Sequence, residues 1–311
     1  MISLEQLKGR YFLHQNSDYI IASGAKLCAF KTDGTLVACR RDLPNVYKHA
    51  LLPNNCLLTG ISKGAYHLIS LDDGAEIYAM KRRPHEYTIP RFAISCSREY
   101  VYDFYTYRNM DYLVSIDVKK GKICEYPLKE GLRATTDIIC DEQGEPCLLQ
   151  HHIENVGVTH ISQNGVRCQR VDAFPLEDTS EWKYRWTQQE SRLSACFWGN
   201  SETILTYDLH VYYPKTGLYE DLLENEHRFL MPQGTFGNAW LDGSGRYIIL
   251  RYPTANIIID WSLRKVVACY AADFCEGCLV GNEFWISTNN GIVRKPFPLI
   301  EQIPSARLTT M

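Results

Sequence analysis

The chain has 311 residues, 45% apolar and 22% charged, with a formal net charge of -3 at pH 7. That balance is ordinary for a soluble globular protein with a large core, and it lacks the basic excess that marks nucleic-acid binders. No apolar run approaches the roughly 18 residues that cross a bilayer, so neither nucleic acid nor membrane is an expected partner.

Met1 to Gln15, MISLEQLKGRYFLHQ, holds no apolar signal core and no small-residue cleavage site. The twelve cysteines are irregularly spaced, mostly inside apolar runs such as Val37-Ala38-Cys39 and Val267-Ala268-Cys269. Reduced thiols packed as small hydrophobes in a cytoplasmic protein are therefore expected. Ile2 to Leu7 is open to two readings. It is either a strand that pairs onto the end of the fold, or a capping box at Ser3 to Gln6 with Gly9 closing one helical turn.

From there the chain repeats itself. A turn followed by a β-branched or aromatic run recurs near Gly24, Gly64, Met110, Val156, Asp208, Ala255 and Gly291, at a spacing of roughly 45 residues. A second turn follows in most of these units, at Asp33-Gly34, Asp73-Gly74, Lys120-Gly121, Asn164-Gly165 and Thr216-Gly217. Asp-Gly and Asn-Gly supply the positive φ that tight hairpins need. The clearest unit is Asn238 to Asp273, with turns at Gly243-Ser244-Gly245, Pro253 to Asn256 and Ser262 to Lys265. It predicts four short strands without a helix. Such a meander cannot bury both faces alone and must pack against others like it.

Two stretches depart from the strand pattern. Asp178 to Gln189 predicts a short helix that sets Trp182 and Trp186 one turn apart, and Tyr219 to His227 is also rich in helix formers, although Leu218 to Leu223 reads as the fourth strand of its unit. The last unit, Gly277 to Leu299, shows three strands before Pro296 and Pro298, so a fourth strand from Ile2 to Leu7 is the favoured way to close the array.

The run Tyr112 to Ile123, YLVSIDVKKGKI, is similar to the strand–Asp–turn–Gly–Lys–strand units of β-propellers of the YVTN and quinoprotein-like kind. The WD-repeat signature is missing: no Gly-His recurs, and Trp261 follows Asp260 instead of preceding it. The resemblance and the seven markers together imply an all-β chain. It would be one seven-bladed β-propeller domain over residues 1–311, built of four-stranded antiparallel blades, with a loop or short-helix insertion near 174–190. A pair of β-sandwiches or a β-helix is the competing architecture.

Signals of chemistry are sparse. Cys275 and Cys278 form the lone Cys-x-x-Cys; without a second pair it is half a zinc site at most, and packing explains it as well. His151, His152 and His160 make the densest histidine group, with Glu154 nearby, but adjacent strand positions face opposite ways. No nucleophile elbow, phosphate-binding glycine loop or His-Glu-x-x-His is present. No cofactor, metal or catalytic residue is assigned.

Recognition residues are more abundant. Tyr100, Tyr102, Tyr105, Tyr107 and Tyr112 crowd one predicted hairpin, as inter-blade packing or as a binding face. Connections between units interleave arginines with aromatics, in Arg82 to Tyr87, Glu181 to Trp186 and Glu226 to Phe229. Trp182, Arg185, Trp186, Arg83 and Tyr87 are accordingly the expected partner-binding residues. The expected function is a non-catalytic scaffold holding a protein or peptide partner on rim loops. The alternative is an enzyme or small-molecule binder at the mouth of a central channel; a structural subunit of a larger assembly is a third class.

Overall fold

The computed structural model describes residues 7–301 except 10, 16–17, 44–45, 62–63, 90–91, 96, 129–134, 141–143, 152–155, 162–167, 173–195, 198–203, 206–208, 214–217, 225–226, 228–229, 233–237, 243 and 272–275. Among the described residues the chain folds as seven successive antiparallel sheets. Sheet 1 holds β1 (Phe12–Gln15), β2 (Tyr19–Ser23), β3 (Leu27–Lys31) and β4 (Leu36–Arg40). Sheet 2 holds β5 (Val46–Leu52), β6 (Cys56–Ile61), β7 (Ala65–Ser70) and β8 (Glu76–Lys81). In sheet 3 the first row is split into β9 (Tyr87–Thr88) and β10 (Ala93–Ile94), both pairing with β11 (Tyr100–Tyr107); β12 (Met110–Asp117) and β13 (Lys122–Leu128) follow.

Sheet 4 is β14 (Thr135–Cys140), β15 (Pro146–His151), β16 (Val156–Ile161) and β17 (Cys168–Asp172). Sheet 5 is β18 (Cys196–Phe197), β19 (Ile204–Leu205), β20 (His210–Tyr213) and β21 (Leu218–Asp221). Sheet 6 is β22 (Asn238–Leu241), β23 (Tyr247–Arg251), β24 (Ala255–Asp260) and β25 (Lys265–Ala271). Sheet 7 has three strands, β26 (Glu276–Val280), β27 (Glu283–Thr288) and β28 (Gly291–Pro296). Strand order follows chain order within every sheet, the meander that short hairpin turns dictate.

The chain divides into two compact units, one of Met1–Asn45, Tyr207–Val211 and Glu220–Met311, the other of Val46–Thr206 and Tyr212–Tyr219. In the first unit, Ile249, Ile258, Ala268 and Tyr270 of sheet 6 pack on Leu279, Phe284 and Ile286 of sheet 7. The opposite face of sheet 7, through Cys278, Val280, Trp285 and Ile292, packs on Leu13, Ile20, Ala22, Cys28 and Phe30 of sheet 1. Leu7 and Tyr11 join that core, the Tyr11 amide donates to the Ser287 hydroxyl at 2.8 Å, and the Leu7 carbonyl lies against Gly291 at the start of β28. In the second unit, sheet 3 is covered on both faces: Val101, Tyr105, Val114 and Ile116 meet sheet 2, while Tyr102, Phe104, Leu113 and Leu128 meet Ile138 and Leu148 of sheet 4.

Burial falls toward the outer strand in sheets 1, 2 and 3. All six residues of β24 are buried, whereas the outer strand β8 exposes every residue but Met80. Turn aspartates set the hairpins: Asp33, Asp73, Asp117, Asp242 and Asp260 each accept a backbone amide two or three residues on, at 2.8–3.2 Å. Gly34, Gly74 and Gly121 then take the positive φ that the Asp-Gly and Lys-Gly dipeptides predict. A bulge repeats where the third strand meets the outer one, the register shifting at Ala29/Phe30, Leu68/Ile69 and Ile258/Ile259. It leaves Val37, Ile77 and Val267 as the extra residues, and Ile77 consequently faces solvent.

The fourth strand read at Leu218 to Leu223 is present as β21 (Leu218–Asp221), and of the helix formers up to His227 only His227 is helical among the described residues. Tyr219 to Asp221 belong to β21, and Leu222 and Leu223 are buried, with the Leu222 amide donating to the Leu209 carbonyl at 2.7 Å. Two core leucines and a strand partner outweigh local helix propensity. The predicted helix near 174–190 lies outside the described residues, as do Ile2 to Gln6.

Candidate functional site

The candidate site is built around the connection from β8 to β9, residues Arg82 to Glu86, and it lies wholly within the second unit. Gly64 opens it. Its positive φ and the Arg82 carbonyl, 2.8 Å from where a Cβ would stand, leave no room for a side chain. The Arg82 amide donates to the Gly64 carbonyl and the Glu86 amide to the Thr106 carbonyl, pinning both ends of the connection to neighbouring strands.

Arg82 turns inward. Its guanidinium lies 5.1 Å from the Tyr66 ring centroid and 5.0 Å from that of Tyr105, and it donates to the Arg83 carbonyl and to His85 Nδ1. Cation–π contacts of this kind strengthen when the cation is desolvated. Beneath it sits a fully buried ion pair, Lys48 on β5 with Asp103 on β11. Lys48 Nζ also donates to the Thr88 hydroxyl and the Ile89 carbonyl, and lies over the Phe92 ring. Asp103 accepts from the Tyr66 hydroxyl at 2.6 Å and from the Phe104 amide at 2.7 Å. Burial, then the charges of Arg82 and Lys48, push His85 down to about 4. The imidazole is therefore neutral at pH 7, an acceptor at Nδ1.

Arg83 turns outward. It is exposed, makes an ion pair with Glu125 of β13 at 2.7 Å, and lies 4.8 Å from the centroid of Tyr112. Tyr112 in turn stacks on Tyr105 at 5.1 Å, and the Tyr105 hydroxyl donates to the same Glu125 carboxylate. Burial raises the Tyr105 phenol, so it remains a donor. The arrangement presents one fixed cation on a rigid aromatic pair. It offers no nucleophile beside a base, and among the described residues no group of three His, Cys, Asp or Glu side chains could hold a metal.

Of the expected partner-binding residues, Arg83 and Tyr87 lie at the same end of sheet 3. Register puts Tyr87 opposite Thr106, on the reverse face from Tyr105 and Tyr112. Tyr87 is exposed, and so is Met110 at the tip of the β11–β12 hairpin. Trp182, Arg185 and Trp186 lie outside the described residues. The tyrosine-rich hairpin divides its labour: Tyr102 and Tyr105 are core, and Tyr112 carries the arginine. Cys278 is buried, which pushes its thiol up to about 12, and Cys275 lies outside the described residues. His151 and His160 sit on paired strands but oppose Val156 and Cys147 respectively, about 13 Å apart along the sheet.

Lys48 and Asp103 were not picked out by sequence. The signal was a charge inside each of two apolar strand runs, Val46–Leu52 and Tyr100–Tyr107.

Solved structures are similar to this chain over nearly its full length. Hydrazine synthase of Kuenenia stuttgartiensis matches at 12% identity and a TM-score of 0.61, covering 93% of this chain and 96% of that one. The Cps50 (Swd1) β-propeller domain of Myceliophteria thermophila matches at 11% identity and 0.63, covering 93% and 98%. The chain has a β-propeller fold. The computationally designed protein Ika8 matches comparably, at 11% identity and 0.61 over 95% and 98%. No family model and no curated sequence matches the chain. At these identities the likeness is one of propeller fold alone.

Two outcomes follow for the buried network. Lys48→Met and Asp103→Asn should each lower stability by about 3–5 kcal/mol, because each strands a buried partner. The double variant should lose less than the sum, and additive losses in urea unfolding would remove the pair from the account. His85 is held below its unfolded value of 6.5. The unfolded chain therefore takes up a proton first as pH falls, so stability drops between pH 6.5 and 4 and is complete above that window. His85→Gln should flatten that slope in a pH series of unfolding curves.

Proposed function

We propose that this propeller is a non-catalytic binding module that holds a protein or peptide partner through the connections at one rim. The observation that carries the reading is Arg83, an exposed cation stacked on Tyr112 and oriented by Glu125. Arginine and tyrosine are the residues that most often anchor interfaces, and a pre-ordered side chain loses little entropy on binding. Tyr87, Trp182, Arg185 and Trp186 belong to the same proposed surface. No cofactor enters this reading, and the free thiols among the described cysteines fit a reducing, cytoplasmic setting.

The architecture proposed with it is one seven-bladed domain of four-stranded blades, the last completed by Ile2 to Leu7. Sheet 7 has three strands among the described residues, and the Leu7 carbonyl lies against the edge strand β28 at Gly291. The chain after β28 takes another course: the Cys269 amide donates to the Leu299 carbonyl and the Glu301 amide to the Cys269 carbonyl, so it lies on β25. Deleting residues 1–6 keeps Leu7 in the core and should cost several kcal/mol, of the order that a lost ladder and its apolar cover imply. Hydrogen exchange should quicken at β28 amides. Unchanged melting and exchange would leave β28 as a natural edge.

Binding is tested by capturing partners from native lysate with the tagged chain and its variants. Arg83→Ala, Tyr87→Ala and Trp182→Ala/Trp186→Ala should leave the melting temperature nearly unchanged. Each should weaken capture of the same protein by about 2 kcal/mol, the hot-spot scale. A variant that melts early yet captures normally per folded molecule assigns its residue to packing.

A further inference from the structure

Cys28 on β3 and Cys39 on β4 stand directly opposite each other in the ladder, flanked by the pairs Leu27–Arg40 and Ala29–Ala38. Directly opposed residues share a face of the sheet, and their Cα spacing of about 4.5–5.5 Å lies inside the range a disulfide bridges. The side chains already meet: the two Sγ atoms are 3.2 Å apart, and both are free thiols. Among the described strand pairs no other two cysteines oppose each other.

The two sulfurs differ in access. Cys28 is fully buried in the core between sheets 1 and 7, while Cys39 is half-buried on the outer strand. We propose that Cys28 and Cys39 are a site of reversible oxidation by peroxide, closing to a cross-strand disulfide on the outer edge of sheet 1.

The chemistry follows the access. Cys39 gives up its proton, its thiolate attacks one oxygen of hydrogen peroxide, the O–O bond breaks, the leaving hydroxide takes up that proton as water, and Cys39 becomes a sulfenic acid. Cys28 Sγ then attacks that sulfur and the S–O bond breaks. The hydroxide set free there combines with the Cys28 proton as water. One peroxide is reduced to two waters, and two thiols are oxidised to one disulfide. Burial, followed by the hydrogen bond to Cys39, pushes the Cys28 thiol up to about 12, against the opposing pull of Lys26 and Arg41. Cys28 is thus protonated in the resting pair, which leaves the first attack to Cys39; in the second step Cys28 attacks as it gives up its proton to the leaving hydroxide. Exchange with a small dithiol reverses the bond.

The test uses the full chain, folded, exposed to hydrogen peroxide and then alkylated under denaturing conditions before tryptic mass mapping. Cleavage at Lys26, Lys31 and Arg40 places the two cysteines on separate peptides, LCAFK and TDGTLVACR. Oxidation should join these peptides with loss of two hydrogens, lower the free-thiol count by two, and be undone by dithiothreitol. Cys28→Ser should instead leave Cys39 as a sulfenic acid that dimedone traps, and Cys39→Ser should leave Cys28 reduced. Both peptides recovered alkylated, a disulfide from Cys28 or Cys39 to another cysteine, or Cys39 carried to sulfinic acid without a link would each overturn the proposal.

Discussion

β24 buries six consecutive residues, Ala255 to Asp260, so its sheet presents apolar surface on both sides. A strand of that kind needs cover above and below, and one packed pair of sheets supplies only one cover. Sheet 3 meets the demand between sheets 2 and 4, and sheet 7 meets it between sheets 6 and 1. Repetition of a two-faced sheet is the constraint from which the rest follows. Inner and middle strands read as near-continuous apolar runs, while the outer strand β8 is largely exposed, including Ile77, the residue left by its bulge.

Charge enters this apolar stack where the chain passes from sheet 2 to sheet 3. Lys48 and Asp103 are both fully buried, and a buried pair gains little over well-packed hydrophobes of similar volume. What the pair provides is direction. Asp103 fixes the Tyr66 hydroxyl, Tyr66 and Tyr105 flank Arg82, and Arg82 holds the carbonyl of Arg83 and the ring of His85. Each group is satisfied only if the next is in place. The connection on the surface is thus specified from the core outward.

Much of this was legible before any coordinates. Turn residues and β-branched runs located the strands of sheet 6 almost to the residue, because Gly245 and Arg264 do adopt positive φ there. The three-stranded last sheet was legible from Pro296 and Pro298. The bulges at Val37, Ile77 and Val267 were not, since each sets two residues against one without any turn residue to mark it, and the register depends on the partner strand. Leu218 to Leu223 gave two signals, a fourth strand by its place in the unit and helix formers by composition; the burial of Leu222 and Leu223, a tertiary fact, goes with the first. In the site, sequence picked out Arg83 and Tyr87 by composition but could not show that they serve opposite faces of one sheet. Lys48 and Asp103 are 55 residues apart, and their meeting depends on how two sheets stack.

The placing of Arg83 separates what an ion pair does for stability from what it would do in the proposed recognition. The pair with Glu125 is open to solvent on the arginine side, so it adds little to folding. Its worth lies in geometry. Glu125 accepts from the Arg83 backbone amide and from the Tyr105 hydroxyl as well as the guanidinium, so one carboxylate sets the loop, the ring and the cation together. A free arginine would surrender about 0.5–1.5 kcal/mol of side-chain freedom to any partner; here folding has already taken most of that cost. An exposed residue that does little for the fold yet is held this firmly makes physical sense as a surface kept ready for contact.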